Sequence, residues 1–333
     1  MRLTVMMPVY NGERYLAAAI EGILGQTWRE FEFLICDDGS VDATPAILRQ
    51  YAQKDARIRI LTFAKNRGQT EAANHLLQHS RGAYICRQDA DDYSQPERLA
   101  RQVAYLDARP ETGMVFTGKR MLAPNGLPFA TICMPDDHAL IAGFMARGIN
   151  PIVNGSFMIR RAVLLAAGTP TYRFRAAEDW DLWQRLVGTT RFGTIPEPLY
   201  DMRYYGGTVS FKIRTLERSM LTAMGNSQDP NTAHSVTAMA DRLDQAIVGT
   251  PQKPPPPATG YESYLNGQAL FKHGRFREAL LAFTAALTDA EYRRKAFLFA
   301  GLSLLGPWGQ WLHHRVAEQR HTYHACRCLG FRF

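Results

Sequence analysis

The 333-residue chain carries only five cysteines, Cys36, Cys86, Cys133, Cys326 and Cys328, an odd number without paired spacing. That scarcity excludes a small disulfide-stapled scaffold, and two of the five lie in apolar strand-like runs, as expected in a reducing compartment. His324, Cys326 and Cys328 lack a second ligand pair at finger-like spacing, so no structural zinc is expected there. Long apolar runs are missing as well. The nearest, Ala296 to Leu305, stops at Gly306-Pro307, short of the roughly 18 residues of a spanning helix. No basic segment precedes the apolar run Leu3 to Met7, so no secretory leader is expected. Glycine is sparse where a dinucleotide site needs it: the first turn offers Gly12 alone, which excludes a nicotinamide-dependent oxidoreductase. Gly113 and Gly118-Lys119 have phosphate-loop spacing, but Arg120 replaces the required Ser or Thr and Met114 to Thr117 reads as strand.

What remains is ample for a core: 46% apolar and 21% charged residues support one main domain with an appendage. The net charge of +8 is concentrated at the end, where Glu291 to Phe333 hold seven Arg/Lys against two Asp/Glu. With Trp308, Trp311, Phe331 and Phe333, this basic tail reads either as a peripheral contact to an anionic membrane or as a solvated face. The expected location is cytoplasmic, with the tail able to reach the inner face of the cell membrane. No nucleic-acid partner is expected.

Up to about residue 200, the strand-like runs Leu3 to Met7, Phe31 to Cys36, Ile58 to Phe63 and Ala83 to Arg87 alternate with helix-like segments. Such alternation predicts an α/β fold with a mainly parallel central sheet. Tyr15, Leu16, Ala19, Ile20, Ile23 and Leu24 mark one face of a first helix. Ser94 or Gln95 reads as the cap of a later helix with Pro96 in its first turn. The predicted organisation is a main domain over 1–225, a Pro-rich linker over 226–260, a helical hairpin over 261–300 and the basic aromatic tail over 301–333. Gly267, Ala269, Gly274, Arg275, Phe276, Ala279, Phe283 and Ala286 have tetratricopeptide-like spacing, with Gly301 34 residues after Gly267. An ordinary helical hairpin is the alternative. Two helices bury little alone, so this small α-helical extension is expected to dock on the main domain, a protein partner or a second protomer.

Ligands of open α/β sheets bind beyond the carboxyl ends of the strands. There the chain places Pro8-Val9-Tyr10-Asn11-Gly12-Glu13, then Asp37-Asp38-Gly39-Ser40, then Asp89-Ala90-Asp91-Asp92. Asp89 and Asp91 flank one small residue, so one carboxylate can meet a ribose or water and the other a hard cation such as Mn2+ or Mg2+. Asp37 and Asp42 read equally well as turn or helix caps.

These motifs, in this order, resemble family 2 glycosyltransferases over roughly residues 3 to 210. Lys65-Asn66-Arg67-Gly68, Ala73-Asn74, Gly155-Ser156 and Glu178-Asp179-Trp180-Asp181-Leu182-Trp183 with Arg185 extend the resemblance. It implies a GT-A fold and a nucleotide-sugar donor, with UDP as the expected nucleotide. The donor contacts it implies are Pro8, Val9, Tyr10, Glu13, Asp38, Arg67, Gly68, Asp89, Ala90 and Asp91, the last also touching metal. Asp179 becomes the base of an inverting transfer to a hydroxyl of a cell-surface glycan or lipid-linked acceptor. Glu178, Trp180 and Arg203 become acceptor or diphosphate contacts, although Glu178 and Asp181 also suit a helix terminus, and Trp180 and Trp183 a core. Where the family has Tyr-Arg-x-His after its last sheet strand, this chain has Met202-Arg203-Tyr204-Tyr205, without the His. A non-catalytic scaffold or carbohydrate-binding protein using the helical repeat is the competing class, and the joint presence of Asp89, Asp91 and Asp179 argues against it.

Overall fold

In a computed structural model, the structure describes residues 2–147, 150–168, 171–173, 178–205, 260–273, 275–287, 293–307 and 310. The linker expected over 226–260, except Gly260, and nearly all of the tail expected over 301–333 beyond residue 307 lie outside the described residues. The chain divides into two compact units, each described by itself.

The sheet, which belongs to the first unit apart from Leu122, Pro128–Ala130 and Arg203, consists of β1 (Leu3–Val9), β2 (Phe31–Asp37), β3 (Ile58–Thr62), β4 (Tyr84–Arg87), β5 (Tyr93–Ser94), β6 (Thr112–Leu122), β7 (Pro128–Ile132), β8 (Met158–Arg160) and β9 (Arg191–Arg203). Their order is β3-β2-β1-β4-β8-β6-β9-β5, with β7 on β6. The expected parallel pairing holds across β3-β2-β1-β4, while β4 and β6 pair antiparallel to β8.

Side chains alternate across a strand, and β1 shows the consequence on both faces. Leu3, Val5, Met7 and Val9 pack with Leu16, Ala19, Ile20 and Ile23 of α1 (Leu16–Leu24), Leu48 of α2 (Thr44–Lys54), and Leu99, Val103 and Leu106 of α4 (Arg98–Asp107). Met6 faces the opposite layer, with Ala72, Ala73, Leu76 and Leu77 of α3 (Gln69–His79) and Leu182, Trp183 and Leu186 of α7 (Glu178–Val187). The short helices α5 (His138–Ala146) and α6 (Arg161–Ala166) complete this layer through Ile141, Met145 and Leu164.

Three boundaries differ from the sequence reading. Helix α4 begins at Arg98, and Ser94 pairs with Tyr200 in β5, so Gln95 and Pro96 precede the helix instead of capping it. The region 121–154, for which the sequence marks no element, contains β7 and α5. Tyr200 and Arg203 lie within β9, not after it: Pro196 and Pro198 argue against a long strand, yet they fall in its less buried middle stretch.

The second unit comprises Leu122–Ala130 and the described residues after Met202. Its helices α8 (Gly260–Lys272), α9 (Phe276–Ala286) and α10 (Arg293–Leu304) enclose Phe271, Ala279, Phe283, Ala286, Ala296 and Phe299. A Cβ on Gly267 would stand 2.6 Å from the Phe283 ring, so the missing side chain is what lets α8 lie close on α9. No helix among the described residues is long and apolar enough to cross a membrane.

Candidate active site

The parallel register decides where the polar motifs meet. Val9 is opposite Asp37, Asp37 opposite Thr62, and Met6 opposite Arg87, so the segments after β1, β2, β3 and β4 leave the sheet along one edge. The first two are stitched together. Asn11 adopts a left-handed φ of 49°, which Asn tolerates better than most residues, and its Oδ1 accepts from Val41 N at 2.9 Å. Its own N–H donates to Ser40 Oγ, Gly12 N to Thr44 Oγ1, and Ala43 N to Glu13 Oε2 at 2.9 Å. Asp42 accepts from Glu13 N and Thr44 N, and Asp37 from Ser40 N, so both act as turn carboxylates. Glu13 is exposed and clamps the second loop. Gly39 needs its missing side chain twice, for a φ of +72° and for a Cβ that would stand 2.6 Å from the Lys65 backbone.

Asp38 is buried, and both its oxygens are engaged: Arg67 N donates to Oδ1 at 2.7 Å and Gly68 N to Oδ2 at 2.8 Å. Burial raises its pKa, opposed by these two N–H groups. Asp38 thus fixes the loop that carries Arg67, whose exposed guanidinium lies 4.6 Å over the Phe63 ring. A pocket of about 250 Å3 beside this edge is lined by Asp37, Gly39, Ser40, Leu48, Arg49 and Phe63 among others. Pro8 and Tyr10 are half-buried and Val9 is buried, at the mouth of the same edge.

The acidic turn after β4 is held from three sides. Gln88 Nε2 donates to the carbonyls of Asp89 and Asp92, Asp89 N donates to Tyr200 Oη at 3.2 Å, and Arg87 Nε donates to Asp89 Oδ1 at 2.8 Å. Ala90 and Asp91 form the half-buried crest of the turn. Gly155, in a 3-10 turn at Asn154–Ser156, backs it: a Cβ there would stand 2.8 Å from Asp89 Oδ2 and collide with the Tyr200 hydroxyl. The buried guanidinium of Arg98 ties this turn to β4 by donating to the carbonyls of Gly155 at 2.7 Å and Arg87 at 3.1 Å.

Helix α7 delivers the second pair of acids to the same place. Glu178 is buried, accepts from Gln69 Nε2 at 2.5 Å and faces the Arg87 guanidinium; Asp179 accepts from Trp180 N at 2.9 Å and Asn150 Nδ2 at 3.3 Å. Desolvation raises the Asp179 pKa, with Asp89 adding to it and Arg87 opposing it. Burial first, and the Asp179 charge second, push Glu178 from its ordinary 4.5 up to about 7. A carboxyl raised by folding stabilises the fold while protonated: the contribution is complete below about 4.5 and is lost as pH rises through about 7. Glu178→Gln removes that titration, so its stability relative to the parent protein is expected to increase from pH 4.5 to 7.5. Urea midpoints at several pH values measure this, and a pH-independent difference would contradict it.

The arrangement thus joins Asp89, Glu178 and Asp179 around Arg87, with Ala90 and Asp91 on the adjoining turn. Trp180 is half-buried against the α7 layer and Trp183 is fully buried in it, whereas Asp181 pairs with Arg185 one turn on. Arg203 belongs to the second unit and is half-buried. Arg87, Gln69, Asn150 and Tyr172 have no functional role in the sequence reading. A signal for Arg87 was present: an arginine ending an apolar strand two residues before Asp89 shares its side of the chain and, once buried, requires acidic partners.

A mixed α/β sheet with acidic turns at its carboxyl edge and an acid pair brought in from a later helix defines a GT-A glycosyltransferase. The chain belongs to glycosyl transferase family 2, whose family model matches residues 4–164. The putative glycosyltransferase EpsE of Bacillus subtilis (strain 168) is 36% identical over 208 residues, 61% of this chain and 73% of that protein. The putative teichuronic acid biosynthesis glycosyltransferase TuaG of the same strain is 32% identical over 126 residues, 38% of this chain and 50% of that protein. Among solved structures, S. aureus TarS 1-349 in complex with UDP-GlcNAc superposes with a TM-score of 0.53 at 16% identity, covering 91% of this chain and 90% of that one. The same protein in complex with UDP gives 0.51 at 18% identity, over 89% and 90%.

Proposed function

We propose that the enzyme transfers a sugar, with inversion, from a UDP-sugar to a hydroxyl of a cell-surface glycan or its lipid-linked precursor. The observation that carries this reading is the convergence of Asp89 and Asp179, 90 residues apart in sequence, at one sheet edge around Arg87. The nucleoside lies by Pro8, Val9 and Tyr10, with Arg67, Gly68 and the remaining lone pairs of Asp38 on the base and Asp89 and Ala90 on the ribose. Glu13 contributes indirectly, by clamping the loop after β2. Asp179 takes the proton of the acceptor hydroxyl as its oxygen attacks the anomeric carbon opposite the leaving diphosphate. Glu178 and Trp180 border the acceptor. Support for the donor comes from TarS, solved with UDP and UDP-GlcNAc, and support for the acceptor from the teichuronic acid assignment of TuaG. We assign the helical unit to docking, as a repeat-like surface for a partner, a second copy or, with the basic tail, the inner face of the membrane.

A divalent cation fits this edge only as a shared ligand. Among the described residues, no three His, Cys, Asp or Glu side chains converge to hold a metal unaided. Asp91, half-buried at the crest of the turn, would be the chief protein oxygen, the remainder coming from diphosphate and water. Bound in that way, Mn2+ or Mg2+ would supply charge stabilisation to the departing diphosphate. Calorimetry of UDP with and without Mn2+ tests the assignment: Asp91→Asn is expected to abolish the metal-dependent gain in affinity. An unchanged gain would remove Asp91 from the site, and no UDP binding by the parent protein under any condition would sink the donor assignment.

A further inference from the structure

Arg87 is a buried cation at the point where the acids of β4 and α7 meet. Its side chain is 2% exposed, and a guanidinium taken out of water persists only when its partners are well placed. Nε is held by Asp89 Oδ1 at 2.8 Å, while the guanidinium also faces Glu178 and Tyr172. Burial opposes its charge, and Asp89, Glu178 and Tyr172 together more than restore it. On its far side, Glu178 is gripped by Gln69, the residue after the Arg67-Gly68 pair that Asp38 holds. Hydrogen bonds thus run from Asp38 to the loop at 67–68 and from the adjoining Gln69 to Glu178, whose charge acts across the site on the Arg87 guanidinium that holds Asp89.

We propose that Arg87, with Gln69, is the positioning device of this site: it sets the first turn of α7, and so Asp179, relative to the Asp89 turn. Glu178 is the handle by which α7 is held, not a proton acceptor. The inference rests on the assignment of Asp179 as base and explains how a carboxylate carried by a separate helix is aligned with a donor held by the β4 turn. Misplacement of a reacting group by even an ångström is enough to lose much of the rate.

The test compares Arg87→Lys, Gln69→Ala and Asp179→Asn in the full chain, reading kcat, donor KM and the pH dependence of kcat. Arg87→Lys keeps the charge but not the Nε contact, and Gln69→Ala alters an exposed side chain, so the fold is retained in the latter whatever happens to the former. Arg87→Lys is expected to lower kcat about 100-fold and Gln69→Ala about 10-fold, with the Gln69→Ala donor KM within about 2-fold of the parent value. Gln69→Ala should also shift the acid limb of kcat to higher pH, because Glu178 loses a hydrogen bond that favours its ionised form. A merely structural role for Gln69 would leave that limb in place. Inactive Asp179→Asn with unaltered kcat in the other two and an unaltered pH limb in Gln69→Ala overturns this inference alone. Active Asp179→Asn overturns the base assignment and the inference with it.

Discussion

Asp179→Asn is expected to lower kcat by about 1000-fold while leaving UDP-sugar affinity within about 3-fold, since general-base catalysis contributes roughly 100- to 10,000-fold. The substitution is nearly isosteric: Trp180 N donates to Oδ1 at 2.9 Å and Asn150 Nδ2 to Oδ2 at 3.3 Å, so the amide oxygen can keep the shorter contact and only the longer one is given up. The fold and the donor turn are therefore preserved while the proton acceptor is removed. The raised pKa of the carboxyl sets the direction of the pH dependence. A base must be ionised to act, so turnover should fall on the acid side, as Glu178 and Asp179 together regain a proton. Single-turnover kinetics of the pure variant, beside calorimetry of the same preparation, separate the chemical step from binding. Turnover close to the parent value would refute the assignment.

Gly155→Ala is expected to damage both stability and donor binding. The new Cβ would collide with the Tyr200 hydroxyl and stand 2.8 Å from Asp89 Oδ2. Neither neighbour can withdraw easily. Tyr200 is fully buried and accepts from Asp89 N, and Asp89 is fixed by Arg87. Overpacking of this kind costs about 1 to 3 kcal/mol, and here it also displaces the carboxylate assigned to the ribose. Urea denaturation should show the loss of stability, and UDP calorimetry on the folded fraction a loss of affinity of about 10-fold or more. A variant within about 0.5 kcal/mol of the parent protein and with unchanged affinity would contradict the packing described for the Asp89 turn.

The strands were legible because burial on both faces imposes apolar runs: Leu3 to Met7 and Phe31 to Cys36 fall within β1 and β2, and Ile58 to Phe63 overruns the less buried β3 by one residue. The motifs at their ends were legible because turns demand specific residues: Gly39 and Asn11 have the left-handed backbone their types permit. What stayed hidden depends on contacts distant in sequence. Nothing local marks Gln69 as the partner of Glu178, 109 residues away, or Tyr200 as the neighbour of Asp89, 111 residues away. Strand β9 was concealed by Pro196 and Pro198, and Ser94 looked like a helix cap until its pairing with Tyr200 was seen. The roles of Glu13 and Asp38 also sharpened: both carboxylates bind backbone N–H groups of adjoining loops and so build the edge on which a nucleotide would rest.

The central claim is inverting transfer from a nucleoside diphosphate sugar, and its most direct test is the configuration of the first sugar released. The protein with Mn2+ would be incubated with a panel of α-linked UDP- and GDP-sugars while proton NMR follows the anomeric signals before mutarotation. Slow release of UDP from one donor, with the β-anomer appearing first, is the predicted result. Release of the α-anomer first, or neither release nor binding with any donor, would contradict it.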